Sequence, residues 1–369
     1  MWGKAALKFP TMTDFSSPFQ DHHSGGARNR RCRDGAERDE GLQDARGKTV
    51  SRDNGWAVLL AGGDGTRLQT LTQKIAGDCR PKQFCQIYGG KSLLTQTRER
   101  IAPLFNSRRT LCVVTQAHEK YYREGHRDAD NSEILIQPHN RGTAVAIGAS
   151  LIRIARVEPD ALVTLLPCDH FYADNEAFVE TISSAEAFAR THPKSLVLVG
   201  AEAHYPEIEY GWIEPGIPLP GEGTLLSVLR FWEKPDLSTA RELLSRSCLW
   251  NTFVVIGYAD TFLEMMRSCI PDVLATISAG VAGNDLNRAY AEVRSVDFSR
   301  EVLAALPHRL LVVKDGASGW TDLGTPARVI DTLVRNGIQA TWFGCTTGRK
   351  AAAPQRASVD RSGDAIECS

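Results

Sequence analysis

Residues 58–68 read Val-Leu-Leu-Ala-Gly-Gly-Asp-Gly-Thr-Arg-Leu, and Arg80-Pro81-Lys82-Gln83-Phe84 follows a short way downstream. An apolar run ending in glycines, then an arginine and a lysine on long stems, describes a strand that delivers backbone amides and cations to a phosphate. Gly62, Gly63 and Gly65 permit a tight turn and close backbone approach, and Arg67 adds a positive fork. The loop is not a dinucleotide fingerprint, because Leu68 stands where the third glycine belongs. Gly90-Lys91-Ser92 does not complete a Walker loop, since Cys85 occupies the first glycine position. Lys91 is read as surface or helix-start chemistry.

Composition agrees with a large α/β protein. The chain has 369 residues, 42% of them hydrophobic, and can bury a sizeable core. A formal charge of -1 argues against a nucleic-acid binder that relies on bulk electrostatics. No apolar stretch is long enough to span a bilayer, and the N-terminus lacks the apolar core of a signal peptide. Nine cysteines are scattered without a CxxC pair or zinc-like spacing, as expected of reduced structural thiols in a cytoplasm.

Working outward, residues 1–54 hold few aliphatics and many charges, including Arg28-Asn29-Arg30-Arg31-Cys32-Arg33. Such a segment is expected to be a disordered tail, with His22 and His23 solvated. Residues 346–369 are expected to be equally unpacked, which leaves 55–345 as one domain. Within it, apolar runs at 56–61, 110–115, 133–137, 161–167, 195–201 and 252–257 predict strands. Helical spacing at 143–156, 176–190 and 236–246 predicts helices between them. Buried strands alternating with helices imply a mostly parallel, Rossmann-like sheet with helices on both faces. Ligands then bind at the carboxyl ends of the strands.

The glycine loop with Arg80-Pro81-Lys82-Gln83-Phe84 resembles the signature of the sugar-1-phosphate nucleotidyltransferases. The Pro-Lys-Gln-Phe form is closest to the mannose-1-phosphate guanylyltransferase branch. Further pieces follow in the family's order: Gln137-Pro138-His139-Asn140-Arg141-Gly142-Thr143-Ala144, Pro167-Cys168-Asp169-His170, Tyr210-Gly211-Trp212-Ile213-Glu214, Trp232-Glu233-Lys234-Pro235, Trp250-Asn251-Thr252, Ser295-Val296-Asp297 and Trp320-Thr321-Asp322-Leu323-Gly324-Thr325. The resemblance covers about 56–335.

It implies a reaction in which a sugar 1-phosphate attacks the α-phosphorus of an NTP and releases pyrophosphate, with GTP and mannose 1-phosphate favoured. It implies Arg67, Lys82 and Lys234 as catalytic cations. Ala61, Gly62, Gly63, Gly65, Thr66, Gln137, Arg141, Gly142 and Thr143 would bind nucleotide. Gly211, Glu214, Glu233, Lys234 and Asn251 would bind the sugar phosphate. Asp169 and Asp322 would hold Mg²⁺: an unpaired carboxylate at the end of an apolar strand is costly, and a cation removes that cost. His170 is read as packed beside them rather than as a ligand. Thr143 also suits a helix N-cap. The implied partners are the two substrates and no nucleic acid or membrane, with a homodimer as the candidate assembly.

Four positions depart from the pattern. Thr70 and Val145 replace prolines, Glu209 replaces a glycine before Tyr210, and Phe253 replaces the glycine of Trp-Asn-Ser-Gly. Phe253 adds bulk beside the sugar pocket. Alternatives are a uridylyl- or thymidylyltransferase acting on glucose 1-phosphate, or a catalytically weak regulatory homologue that binds sugar nucleotide. A glycosyltransferase would want an Asp-x-Asp pair after a strand, and Asp128-Ala129-Asp130 lies in a polar stretch instead. The sequence shows no hexapeptide repeats, and the cupin isomerase of longer relatives is not expected in it.

Overall fold

A computed structural model describes residues 55–126 and 133–342. The tails expected at 1–54 and 346–369, and the Asp128-Ala129-Asp130 pair, lie outside the described residues.

The chain runs β1 (Gly55–Leu60), α1 (Gln69–Ala76), α2 (Leu93–Ile101), β2 (Thr110–Thr115), α3 (Glu119–His126), β3 (Glu133–Gln137) and α4 (Thr143–Val157). Next come β4 (Leu162–Pro167), β5 (His170–Phe171), α5 (Asn175–Thr191), β6 (Leu196–Glu202), β7 (Gly211–Pro218), β8 (Leu225–Glu233) and α6 (Leu237–Ser245). It continues through β9 (Leu249–Tyr258), α7 (Ala259–Cys269), α8 (Pro271–Ala282), α9 (Leu286–Glu292), β10 (Leu310–Asp315), β11 (Thr321–Asp322) and α10 (Pro326–Arg335).

Nine of these strands form one sheet in the order β3-β2-β1-β4-β9-β6-β10-β8-β7. The expected α/β fold is present, and its sheet is mixed. β3, β2, β1 and β4 pair in parallel, as do β6 and β10, while β9 and β8 run against their neighbours. The apolar runs arise because both faces are covered. Trp56 and Val58 of β1 pack into the layer that contains α4 and α7, whereas Ala57 and Leu59 pack into the layer with α2 and α5. A strand buried on both sides reads as continuous apolar sequence, not as alternation.

Strand order reverses at β1, which has β2 on one side and β4 on the other. The carboxyl ends of β1 and β4 therefore flank a crevice at a topological switch point. The antiparallel β9 brings its own beginning to the same edge, because Val255 sits opposite Leu165 near the end of β4.

Candidate active site

The glycine loop leaves β1 at that crevice and is held by buried partners. Gln83 is 2% exposed, and its amide donates to the carbonyls of Ala61 at 2.9 Å and Gly63 at 2.7 Å. The Thr115 hydroxyl donates to Gly62 O at 2.9 Å. Gly62 presses against Gln137, whose Nε2 would lie 2.6 Å from any added Cβ. Gly65 is left-handed, with φ 61°, and opens the short turn of Thr66–Leu68 that carries Arg67. Asp64 accepts from Asn140 Nδ2 at 2.9 Å and lies 3.3 Å from His118 Nε2, which ties the loop tip to the far wall.

Gln137 ends β3 and is buried; its Oε1 accepts from the Tyr290 hydroxyl at 3.1 Å. Arg141 donates through Nε to Tyr290 O at 2.8 Å, so it braces this end of the cleft instead of lining it. Gly142 has φ 83°, and a Cβ there would stand 2.3 Å from Val296 O. Only glycine fits that approach. The expected N-cap at Thr143 is corrected: α4 begins at Thr143 itself, and its hydroxyl accepts from Phe298 N at 2.8 Å.

Asp169 follows β4, and Asp322 closes β11, which pairs with β5 so that Asp322 faces His170. This small ladder joins two carboxylates that are distant in sequence. Lys82 lies between them, its Nζ 2.8 Å from Asp322 Oδ1, 3.3 Å from Asp169 Oδ2 and 3.1 Å from Leu323 O. Burial disfavours both charges. The two carboxylates nonetheless hold the Lys82 ammonium above its ordinary pKa, and Lys82, with His170 and Arg328, holds Asp322 far below the usual carboxylate range. His170 accepts from Trp320 Nε1 at 3.0 Å, and burial lowers its pKa. It is packed beside the carboxylates, with its Nε2 3.8 Å from each.

The end of the cleft around Glu233 and Asn251 is built by register. Gly211 lies opposite Glu233 across β7 and β8, and Trp212 lies opposite Trp250 across β7 and β9. Glu233, Gly211 and Asn251 thereby converge. A Cβ on Gly211 would meet Glu233 Oε2 at 3.1 Å and Asn251 Cβ at 3.3 Å. Burial, then the nearby Asp297, pushes the Glu233 carboxyl up to about 7, against the pull of Lys234. Lys234 is half-exposed at the cleft, 3.8 Å from Glu233 Oε1. Glu214 lies apart: it pairs with Arg246 at 2.7 Å and does not line the cleft.

The cleft has a volume of about 410 Å³ and is lined by Gly62, Arg67, Gln137, Thr143, Asp169, Glu233, Lys234, Asn251 and Asp322, among others. A second cavity of about 390 Å³ adjoins it and is lined by Gly65, Thr66, Arg67, Lys82, Asp169 and Asp322. The two share Arg67 and both carboxylates. Ala61 is buried and contributes through its backbone: its N–H donates to Val113 O at 2.8 Å. The sequence reading assigned no role to Gln83, Asp64 or Asp297. All three lie inside the quoted motifs; the partners of Gln83 and Asp64 come from distant segments, whereas Asp297 accepts locally from Arg300 N at 2.9 Å.

Two curated proteins and one crystal structure illustrate the relatives. Xanthan biosynthesis protein XanB of Xanthomonas campestris is 31% identical over 76% of this chain and 60% of its own length. Mannose-1-phosphate guanylyltransferase 2 of Escherichia coli O157:H7 is 29% identical over 73% of this chain and 58% of its own. The crystal structure of mannose-1-phosphate geranyltransferase from Thermus thermophilus superposes with a TM-score of 0.66 at 31% identity, covering 73% of this chain and 76% of that one. The chain thus spans about 60% of the length of the curated relatives it matches. Residues 56–335 match the family model described as nucleotidyl transferase, and with glycine loop, paired carboxylates and a polar cleft at one sheet edge, the chain belongs to that family.

Proposed function

We propose that residues 55–345 form a nucleotidyltransferase domain that transfers a nucleotidyl group from GTP to mannose 1-phosphate. The products are an NDP-sugar and pyrophosphate. The observation that carries this reading is the convergence of Asp169 and Asp322 beside the glycine loop, with Glu233, Lys234 and Asn251 across the same cleft. The names of the XanB and guanylyltransferase relatives support the choice of base and sugar.

A sugar-phosphate oxygen attacks the α-phosphorus in line as the bond to the bridging oxygen breaks, and pyrophosphate leaves with the bonding pair. The nucleophile is already anionic near neutral pH, because the second phosphate pKa is about 6. No general base or covalent intermediate is needed. Arg67 and the loop amides neutralise and orient the triphosphate. Lys234 holds the sugar phosphate, and Glu233 and Asn251 accept or donate to sugar hydroxyls. Lys82 fixes the spacing of the two carboxylates.

A divalent cation fits the donor set, since two hard carboxylates converge on a point now filled by an ammonium. Asp169 and Asp322 would hold Mg²⁺, which supplies charge neutralisation for the phosphates when bound. The described cysteines carry free thiols, which suits a cytoplasmic setting. We take a homodimer as the assembly to be checked by light scattering.

The test is the purified full chain with Mg²⁺ and a grid of NTPs against sugar 1-phosphates, read by pyrophosphate release. Turnover with GTP and mannose 1-phosphate, and not with other NTPs or with glucose 1-phosphate, supports the proposal. UTP or dTTP with glucose 1-phosphate would redirect it, and silence with retained sugar-nucleotide binding would favour a regulatory homologue.

A further inference from the structure

Phe253 occupies a backbone position that suits glycine. Its φ is 61°, in the left-handed region, which is an outlier for a bulky side chain. The conformation comes from a bulge. Leu198 lies opposite Val255 and Gly200 opposite Asn251, so Thr252, Phe253 and Val254 on β9 face a single residue on β6. In one common bulge the first residue is a left-handed glycine, and bulges next to active sites re-aim side chains. Here the distortion is locked on both sides. Phe253 N donates to Asn251 Oδ1 at 3.1 Å. The Thr252 hydroxyl donates to Val199 O at 2.7 Å and accepts from Val254 N at 3.3 Å.

The ring that the bulge projects is half-buried. It packs on the core and lines the same cleft as Glu233, Asn251, Asp297 and Ser299. It is therefore an apolar surface set among groups that want hydroxyl partners. A strained backbone around a bulky side chain at a cleft wall marks a side chain with a task there.

We infer that Phe253 determines which sugar 1-phosphate enters, favouring one that turns a hydroxyl-free edge toward the ring. This rests on the transfer reading above. A hydroxyl pressed on the ring loses its water and gains no partner, whereas a deoxy position loses nothing. The bulk also narrows the sugar end relative to glycine. Pockets discriminate single substituents of this kind by about 10–200-fold.

The experiment uses the full chain as wild type and as three variants: Phe253→Gly, Phe253→Asn and Phe253→Leu. Glycine and asparagine both tolerate the left-handed region, so two small variants guard against one that folds poorly. Each is assayed with GTP, Mg²⁺, mannose 1-phosphate and its 2-, 3-, 4- and 6-deoxy analogues. Readouts are kcat/KM from pyrophosphate release and Kd by calorimetry. We expect one deoxy analogue to be preferred about tenfold by wild type and by Phe253→Leu. The small variants should bring that ratio to within about twofold.

Equal ratios in wild type and the small variants at every position would overturn the inference. Absence of turnover with every NTP and sugar 1-phosphate would sink the transfer reading alone. The Kd ratios would then decide the role of Phe253, and absence of binding to the whole panel would count against it.

Discussion

The carboxylate of Glu209 pairs with the guanidinium of Arg67 at the mouth of the cleft. Both side chains are about half exposed, and both line the cavity that a triphosphate would enter. Glu209 is presented by a built turn: its N–H donates to Glu207 Oε1 at 2.8 Å, and Glu207 in turn pairs with Arg328. On the proposed function, a bound nucleotide would have to take Arg67 from this carboxylate. An exposed pair is worth about 0–1 kcal/mol, so Glu209→Ala should lower the KM for NTP by up to about fivefold. Arg67→Ala should instead lower kcat/KM by about 10²–10³-fold. Steady-state kinetics of the two variants check this, and a higher NTP KM in Glu209→Ala would show that Glu209 helps binding.

Lys82 is a buried ammonium whose neighbours are both carboxylates, so its removal leaves two negative charges facing each other. Breaking such a group by removing one partner costs about 3–5 kcal/mol. Lys82→Met should therefore melt well below wild type. Adding Asp322→Asn should recover part of the loss, because the remaining carboxylate is then alone. Mg²⁺ should raise the melting temperature of Lys82→Met more than that of wild type. Thermal melts with and without Mg²⁺ make the comparison. An equal shift in the two proteins would show that the cation does not offset the charge repulsion that Lys82 relieves, and the absence of any shift would mean that Asp169 and Asp322 do not hold it.

The strands β1, β2, β4, β6 and β9 were legible because both faces are buried, which writes an apolar run into the sequence. β3, at the sheet edge, kept enough of a run although Ile136 is exposed. β7 was not: it contains Pro215, Gly216 and Pro218, and its tip exposes Ile217, so neither run nor alternation survives. β8 likewise leaves Leu229 exposed. The glycine loop and Asp169 could be placed because each directly follows a buried strand. Their meeting with Asp322 depends on the β5–β11 ladder, two residues on each side, which no local pattern encodes. The same holds for Arg67 and Glu209, which meet across two loops. Thr143 has the residue type of a cap, but the left-handed Gly142 before it and Phe298 N beside it redirect its hydroxyl.

Glu233 gives the site a pH dependence near neutrality. Burial, reinforced by Asp297, raises its carboxyl from 4.5 to about 7. An acid with a raised folded pKa binds more protons folded than unfolded between those values. Stability is therefore full below pH 4.5 and falls as pH rises from there through 7, by about 3 kcal/mol. Glu233→Gln should lack this fall and melt higher than wild type at pH 8, with little difference at pH 4.5. Sugar hydroxyls donate to the ionised form, so wild-type affinity for sugar 1-phosphate should rise between pH 6 and 8 after correction for the ligand's own titration. Parallel titrations of both proteins in calorimetry separate the two contributions; an identical pH profile would exclude Glu233 from the sugar contact.

Gly142 tests how tightly the nucleotide end is braced. Its φ of 83° is unfavourable for any L side chain, and an added Cβ would lie 2.3 Å from the carbonyl oxygen of Val296. That carbonyl cannot simply yield, because it accepts from Ala144 N, while Val296 N donates to Arg141 O at 3.0 Å. Gly142→Ala must then separate the loop from residues 296–298 or unwind the start of α4. Costs of this kind are about 2–4 kcal/mol, a fall in melting temperature of roughly 5–15 °C for a domain this size. Thr143 and Gln137 sit on either side of the break, so the KM for NTP should rise while the KM for sugar 1-phosphate stays nearly constant. A variant that melts like wild type would show that the 296–298 segment does not brace the loop, and an equal rise in both KM values would show a general collapse of the cleft.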